Sequence, residues 1–78
     1  MGSNSNVQKL FGRRLAQLRK MRGWSQEALA LESGIARSYL GDVERGQRNI
    51  ALVNICRLAE TLQVSPSELL VFDKNDKA

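Results

Sequence analysis

Apolar residues recur three and four positions apart along most of this chain, and glycines at positions 23, 34 and 46 cut the pattern into short runs. That period lays side chains along one stripe of an α-helix. A half-buried strand needs strict alternation, which no stretch sustains. The expected fold class is therefore all-α, a compact five-helix bundle. Val7, Phe11, Leu15 and Leu18 form the first stripe, flanked by Leu10 and Met21, with Lys9, Arg13, Gln17 and Lys20 between them. Gly23 ends it, because glycine tolerates left-handed backbone. Ser25 is a good N-cap for a second helix over 26–33. A third is expected over 36–45, ended by Gly46. A fourth, over 52–62, has a wide apolar face of Leu52, Val53, Ile55, Cys56, Leu58, Ala59 and Leu62. Ser65-Pro66-Ser67-Glu68 combines an N-cap, a proline at the first helical position and a capping-box glutamate. It should open a fifth helix carrying Leu69, Leu70, Val71 and Phe72.

Seventy-eight residues make one small domain. The expected boundaries are a disordered lead-in over 1–6, the domain over 7–72, and a charged flexible tail over 73–78. A chain this short buries only about 60–65% of its unfolded surface, so a further source of stability is expected. Cys56 is the only cysteine and there is no histidine, so neither an internal disulfide nor a metal site is expected, and no cofactor. Cys56 itself, on an apolar helical face, reads as inert core. Self-association is left as the staple. No apolar run approaches the ~20 residues that span a bilayer, and the opening MGSNSN is not a signal peptide. A cytoplasmic location without a membrane partner is expected.

The net charge is +4, and it is unevenly spread. Residues 1–48 hold nine Lys/Arg against four Asp/Glu, and residues 49–78 hold three against four. A polyanion should therefore meet the first half, leaving the second for another task. The stretch from 26 to 45 carries the decisive spacing. Ala30 is small where the second and third helices would cross. Gly34 supplies the positive φ of a tight turn. Leu40 and Val43, three apart, turn the third helix inward. Two short helices held at a fixed angle this way form a helix-turn-helix. An αα-hairpin without a ligand would satisfy the same apolar positions. It would not account for Arg37, Ser38, Tyr39, Arg45 and Arg48 on the solvent face and flanks of the third helix.

The run SQEALALESGIARSYLGDVERGQRNI resembles the lambda-repressor-like helix-turn-helix family, also called the Xre family. Its markers are Ser25-Gln26-Glu27, Ala30, Gly34, Leu40, Val43 and Glu44-Arg45-Gly46, and the resemblance covers about residues 8–72. Arg37-Ser38-Tyr39 followed by Glu44-Arg45-Gly46-Gln47-Arg48-Asn49-Ile50 is similar to the controller proteins of restriction–modification systems. One departure is Ala51, where relatives tend to place Ser or Thr as the cap of the fourth helix. The resemblance implies a DNA-binding domain, a backbone contact from Gln26, and an ion pair between Arg19 and Glu44 tying the first helix to the third.

With Leu40 pointing inward and 100° per residue, Ser38, Gly41, Asp42 and Arg45 point outward, with Arg37 and Tyr39 to either side. Arg37, Ser38, Gly41 and Asp42 are the candidate base-reading positions. Arg37 suits guanine O6 and N7, with a phosphate contact or a solvated side chain as the alternatives. Ser38 can meet a base or a phosphate. Gly41 either lets the backbone approach the groove or is simple drift. Asp42 either accepts from a cytosine N4 or orients Arg45 at i+3, and the second is favoured. Phosphate contacts that fix register are expected from Gln26 at a helix N-terminus and from Tyr39, Arg45, Gln47, Arg48 and Asn49. Tyr39 covering the core edge is the equal alternative. Arg13 and Arg14 are weaker candidates, since a basic face on a first helix is often only solvated.

One helix reads few base pairs, so a two-fold dimer on inverted half-sites about 34–36 Å apart, or a multiple, is expected. Ile50, Val53, Glu68, Leu69, Val71 and Phe72 are the candidate interface, against the alternative that they complete the monomer core. The expected partners are operator DNA, a second copy of the chain and, for a regulator of transcription, RNA polymerase. A competing function is a protein-interaction or antitoxin-like adaptor using the motif as scaffold. An enzyme is the poorest reading, without paired carboxylates in a cleft or a glycine-rich phosphate loop.

Overall fold

The computed structural model describes residues 3–72. Four α-helices, α1 (Ser3–Met21), α2 (Gln26–Ser33), α3 (Arg37–Glu44) and α4 (Leu52–Leu62), precede a 3₁₀ helix over Pro66–Leu70. The charged tail assigned to 73–78 lies outside the described residues. Local chemistry explains most boundaries. Ser25 Oγ accepts from the Ala28 N–H at 3.0 Å, satisfying one of the free donors that open α2. Gly34 closes α2 at φ 75°, its N–H returning to Ala30 O. Ala51 gives α4 no side-chain cap, yet the helix starts at Leu52 as its apolar pattern predicts. At the other end of α4, Gln63 adopts φ 60°, a left-handed cap where glycine is usual.

Two expectations about the ends of the chain need correction. First, α1 starts at Ser3, so residues 3–6, assigned to a disordered lead-in, are helical. Second, the fifth element is a single 3₁₀ turn, not an α-helix. Ser65 Oγ pairs with Ser67 Oγ at 2.8 Å and caps nothing, and Glu68 reaches Arg14 of α1 in place of the Ser65 backbone. The capping box is present in sequence and unmade in structure.

Phe11, Leu15, Leu18, Leu29, Ala30, Ile35, Leu40, Val43, Leu58, Ala59, Leu62 and Leu69 form one core. Val7 and Met21, counted in or beside the first stripe, lie exposed beyond its ends. Gly12 explains how α1 meets α3. A Cβ there would stand 2.5 Å from the carbonyl oxygens of both Val43 and Glu44, so only glycine lets the backbones approach. α1 and α4 then hold the α2–α3 pair in place, leaving the outer side of α3 uncovered.

Candidate nucleic-acid interface

α3 is anchored from beneath. Leu40 is completely buried and Val43 nearly so. A second anchor is electrostatic. Arg19 Nε and Nη2 donate to the two carboxylate oxygens of Glu44 at 2.7 and 2.9 Å, and Arg19 Nη1 donates to Trp24 O at 2.8 Å. Both side chains are at most one-tenth exposed, so this is a buried bidentate pair. The hydrogen bond to Glu44 lifts the Arg19 pKa above the ordinary guanidinium value, outweighing the burial that lowers it. Glu44 takes a third donor, Gln26 Nε2 at 2.7 Å. Gln26 therefore stands at the start of α2 with its amide tied to the end of α3.

On the outer side, Arg37, Ser38, Arg45, Gln47, Arg48 and Asn49 are exposed. Acidic residues hold the arginines. Arg37 Nε lies 3.5 Å from Glu27, and Asp42 accepts from Arg45 Nη2 through one oxygen and from Arg48 Nε at 3.4 Å through the other. Asp42 thus orients Arg45, one of its two alternatives, and organises Arg48 as well. The Arg48 guanidinium also lies over the Tyr39 ring, 5.2 Å from its centroid. Tyr39 is half-buried against the core, and its hydroxyl accepts from Asn54 Nδ2 at 3.5 Å. Arg45 Nε reaches Gln47 Oε1 at 3.4 Å. Gly41, expected at an open position, is buried, with the ends of the Arg37 and Arg45 side chains over it.

Arg13 and Arg14 do not join this group. They line a groove between α1 and the segment of Val71 and Phe72. Arg14 donates through Nε to Glu68 O at 2.7 Å and through Nη2 to the Glu68 carboxylate at 3.1 Å, clamping α1 to the 3₁₀ helix.

The proposed interface residues divide. Leu69 is completely buried and belongs to the monomer core, because the tighter 3₁₀ turn aims it inward. Glu68 is engaged by Arg14 within the chain, and Ile50 and Phe72 pack partly on the core. Val53 and Val71 are exposed, as are Leu52 and Leu70, which were not singled out. Cys56 is exposed too, contrary to the expectation of inert core. The apolar face of α4 is too wide for one contact: Leu58, Ala59 and Leu62 fill the core, while Leu52, Val53 and Cys56 turn outward. Among the described residues no helix is long and apolar enough to cross a membrane.

A family model described as helix-turn-helix matches residues 15–69. The chain belongs to this family. Within this Xre-like type, some relatives are of similar length. It is 42% identical over 69 residues to the control protein C.BamHI of Bacillus amyloliquefaciens, covering 87% of this chain and 85% of that one. Its fold matches the restriction–modification controller protein C.AhdI of Aeromonas hydrophila with a TM-score of 0.78 and 56% identity, over 80% of this chain and 94% of the other. SinR, solved in complex with DNA, matches with a TM-score of 0.75 and 35% identity over 78% of this chain and 98% of that one.

Proposed function

We propose that this helix-turn-helix protein is a sequence-specific regulator of transcription that inserts α3 into the major groove of an operator, as a dimer on an inverted repeat. The observation that carries this reading is the outer side of α3. It is open, it bears Arg37 and Ser38 with Arg45 and Arg48 just beyond its C-terminal end, and its opposite side is locked by Leu40, Val43 and Glu44. A rigidly held helix with an open N-terminal half and arginines at both of its ends is what base reading requires. The likeness to controller proteins and to a regulator solved on DNA supports the same class of function.

Within this reading Arg37 and Ser38 address base edges. Arg45, Arg48, Gln47 and Asn49 frame them on phosphates, joined by the N-terminus of α2 at Gln26. Leu52, Val53, Leu70 and Val71 supply apolar surface for two-fold association, with RNA polymerase a further partner on the operator. The test is selection of bound duplexes from a random pool, repeated with Arg37→Ala. The parent should yield an inverted repeat, and the variant a relaxed preference at one base pair in each half-site. Uniformly weaker binding with unchanged preference would make Arg37 a phosphate contact. An adaptor function would appear as complex formation insensitive to salt. DNA binding through several phosphates should weaken by orders of magnitude between ~50 and ~200 mM.

A further inference from the structure

We infer that Gly41 is a specificity-setting position, because its missing side chain makes the space in which Arg37 and Arg45 converge into one two-armed reading head. This rests on the DNA-reading proposal above and adds to it the device that spaces the arms. Glycine in a helix interior weakens the helix, and α3 has only eight residues in which to absorb that cost. Gly41 lies on the outer side of the helix and is nevertheless buried. A Cβ at this position would meet Arg37 Nη1 at 2.7 Å and Arg45 Nη1 and Nη2 at 3.3 and 3.7 Å. These three guanidinium nitrogens are its nearest neighbours outside the helix's own backbone.

The two guanidinium groups therefore rest on the bare backbone of Gly41, despite their like charge. Acids on either arm offset the repulsion: Glu27 beside Arg37, and Asp42 bound to Arg45. Guanidinium is a planar fork that matches paired acceptors, and guanine presents O6 and N7 together in the major groove. Two forks held at one point of the helix suit a guanine and the phosphate or base pair beside it, with Arg37 on the base and Arg45 next to it, and their separation is set by what lies beneath them. Close approach of the Gly41 backbone to DNA, the alternative, would require both arginines to leave the surface they cover.

Gly41→Ala tests this, because the nearest atoms to the new methyl are the ends of two flexible side chains. The fold should hold, and the thermal midpoint should stay or rise, since alanine favours the helix. Operator affinity relative to a scrambled duplex should fall at least tenfold, with the base preference relaxing at the pair that Arg37→Ala relaxes. In the Arg37→Ala background the same Gly41→Ala change should cost less than threefold, because the displaced arm is already gone. An undiminished loss in that background would overturn the inference in favour of direct backbone approach. So would a Gly41→Ala variant that discriminates like the parent. A parent that prefers no sequence would instead overturn the DNA-reading proposal on which the inference stands.

Discussion

Glu44→Ala should be the most damaging single change to this fold that removes no core hydrocarbon. It takes the carboxylate from three donors at once, Arg19 Nε, Arg19 Nη2 and Gln26 Nε2, all within 2.9 Å. Gln26 is half-buried and can turn toward water. Arg19 is only 8% exposed and keeps a single acceptor, Trp24 O. Leaving a buried guanidinium uncompensated costs about 3–5 kcal/mol. A domain of this length has a total stability of roughly 4–12 kcal/mol, so the loss takes a large share of it. At about 4–8 °C per kcal/mol, the thermal midpoint should drop by at least about 12 °C. The assay is urea unfolding followed by circular dichroism at fixed protein concentration, with thermal melts alongside. Because a hydrophobic pair can replace a buried ion pair at little cost, Arg19→Met with Glu44→Leu should recover part of the loss. A cost below about 1 kcal/mol for Glu44→Ala, the value for an exposed pair, would refute the burial reasoning.

Gly12→Ala should destabilise by more than about 2 kcal/mol, because its Cβ would press on two backbone carbonyls that cannot step aside; denaturation beside Gly41→Ala, which should be neutral or better, checks it. Arg14→Ala should cost no more than about 1 kcal/mol, since Glu68 is half exposed, and should leave operator affinity unchanged in a mobility-shift titration. Val53→Glu should give a folded monomer by sedimentation velocity, and weaken operator binding through lost association. Cys56 should react promptly with a thiol reagent in dilute protein and more slowly as concentration rises, since it shares the outward side of α4 with Leu52 and Val53.

Much of this architecture is legible in the sequence because its determinants are local. The spacing of Leu40 and Val43, the cap at Ser25 and the left-handed turn at Gly34 act within a few residues, and α2 and α4 fall on their predicted bounds. What escaped is set by contacts between distant positions. Arg14 and Glu68 are 54 residues apart, and their pairing holds the Glu68 carboxylate against α1 and leaves the capping box unmade. The wide apolar face of α4 showed that some of it would stay uncovered. Which residues did so was not local information: Leu58, Ala59, Leu62 and Leu69 fill the core, and Cys56 is left exposed. Gly12 did carry a signal: an isolated glycine inside a helical pattern marks a close crossing, and here it meets the end of α3.

The central claim is that the outward side of α3, and not another surface, meets DNA. Titration of the uniformly labelled protein with its selected operator, followed residue by residue through backbone amide shifts, tests it most directly. The expected perturbations cluster at Gln26, Arg37 to Asp42 and Arg45 to Asn49, while Arg13, Arg14, Leu70 and Val71 stay still at constant oligomeric state. Perturbations centred on the groove between α1 and Phe72, with α3 unmoved, would contradict it.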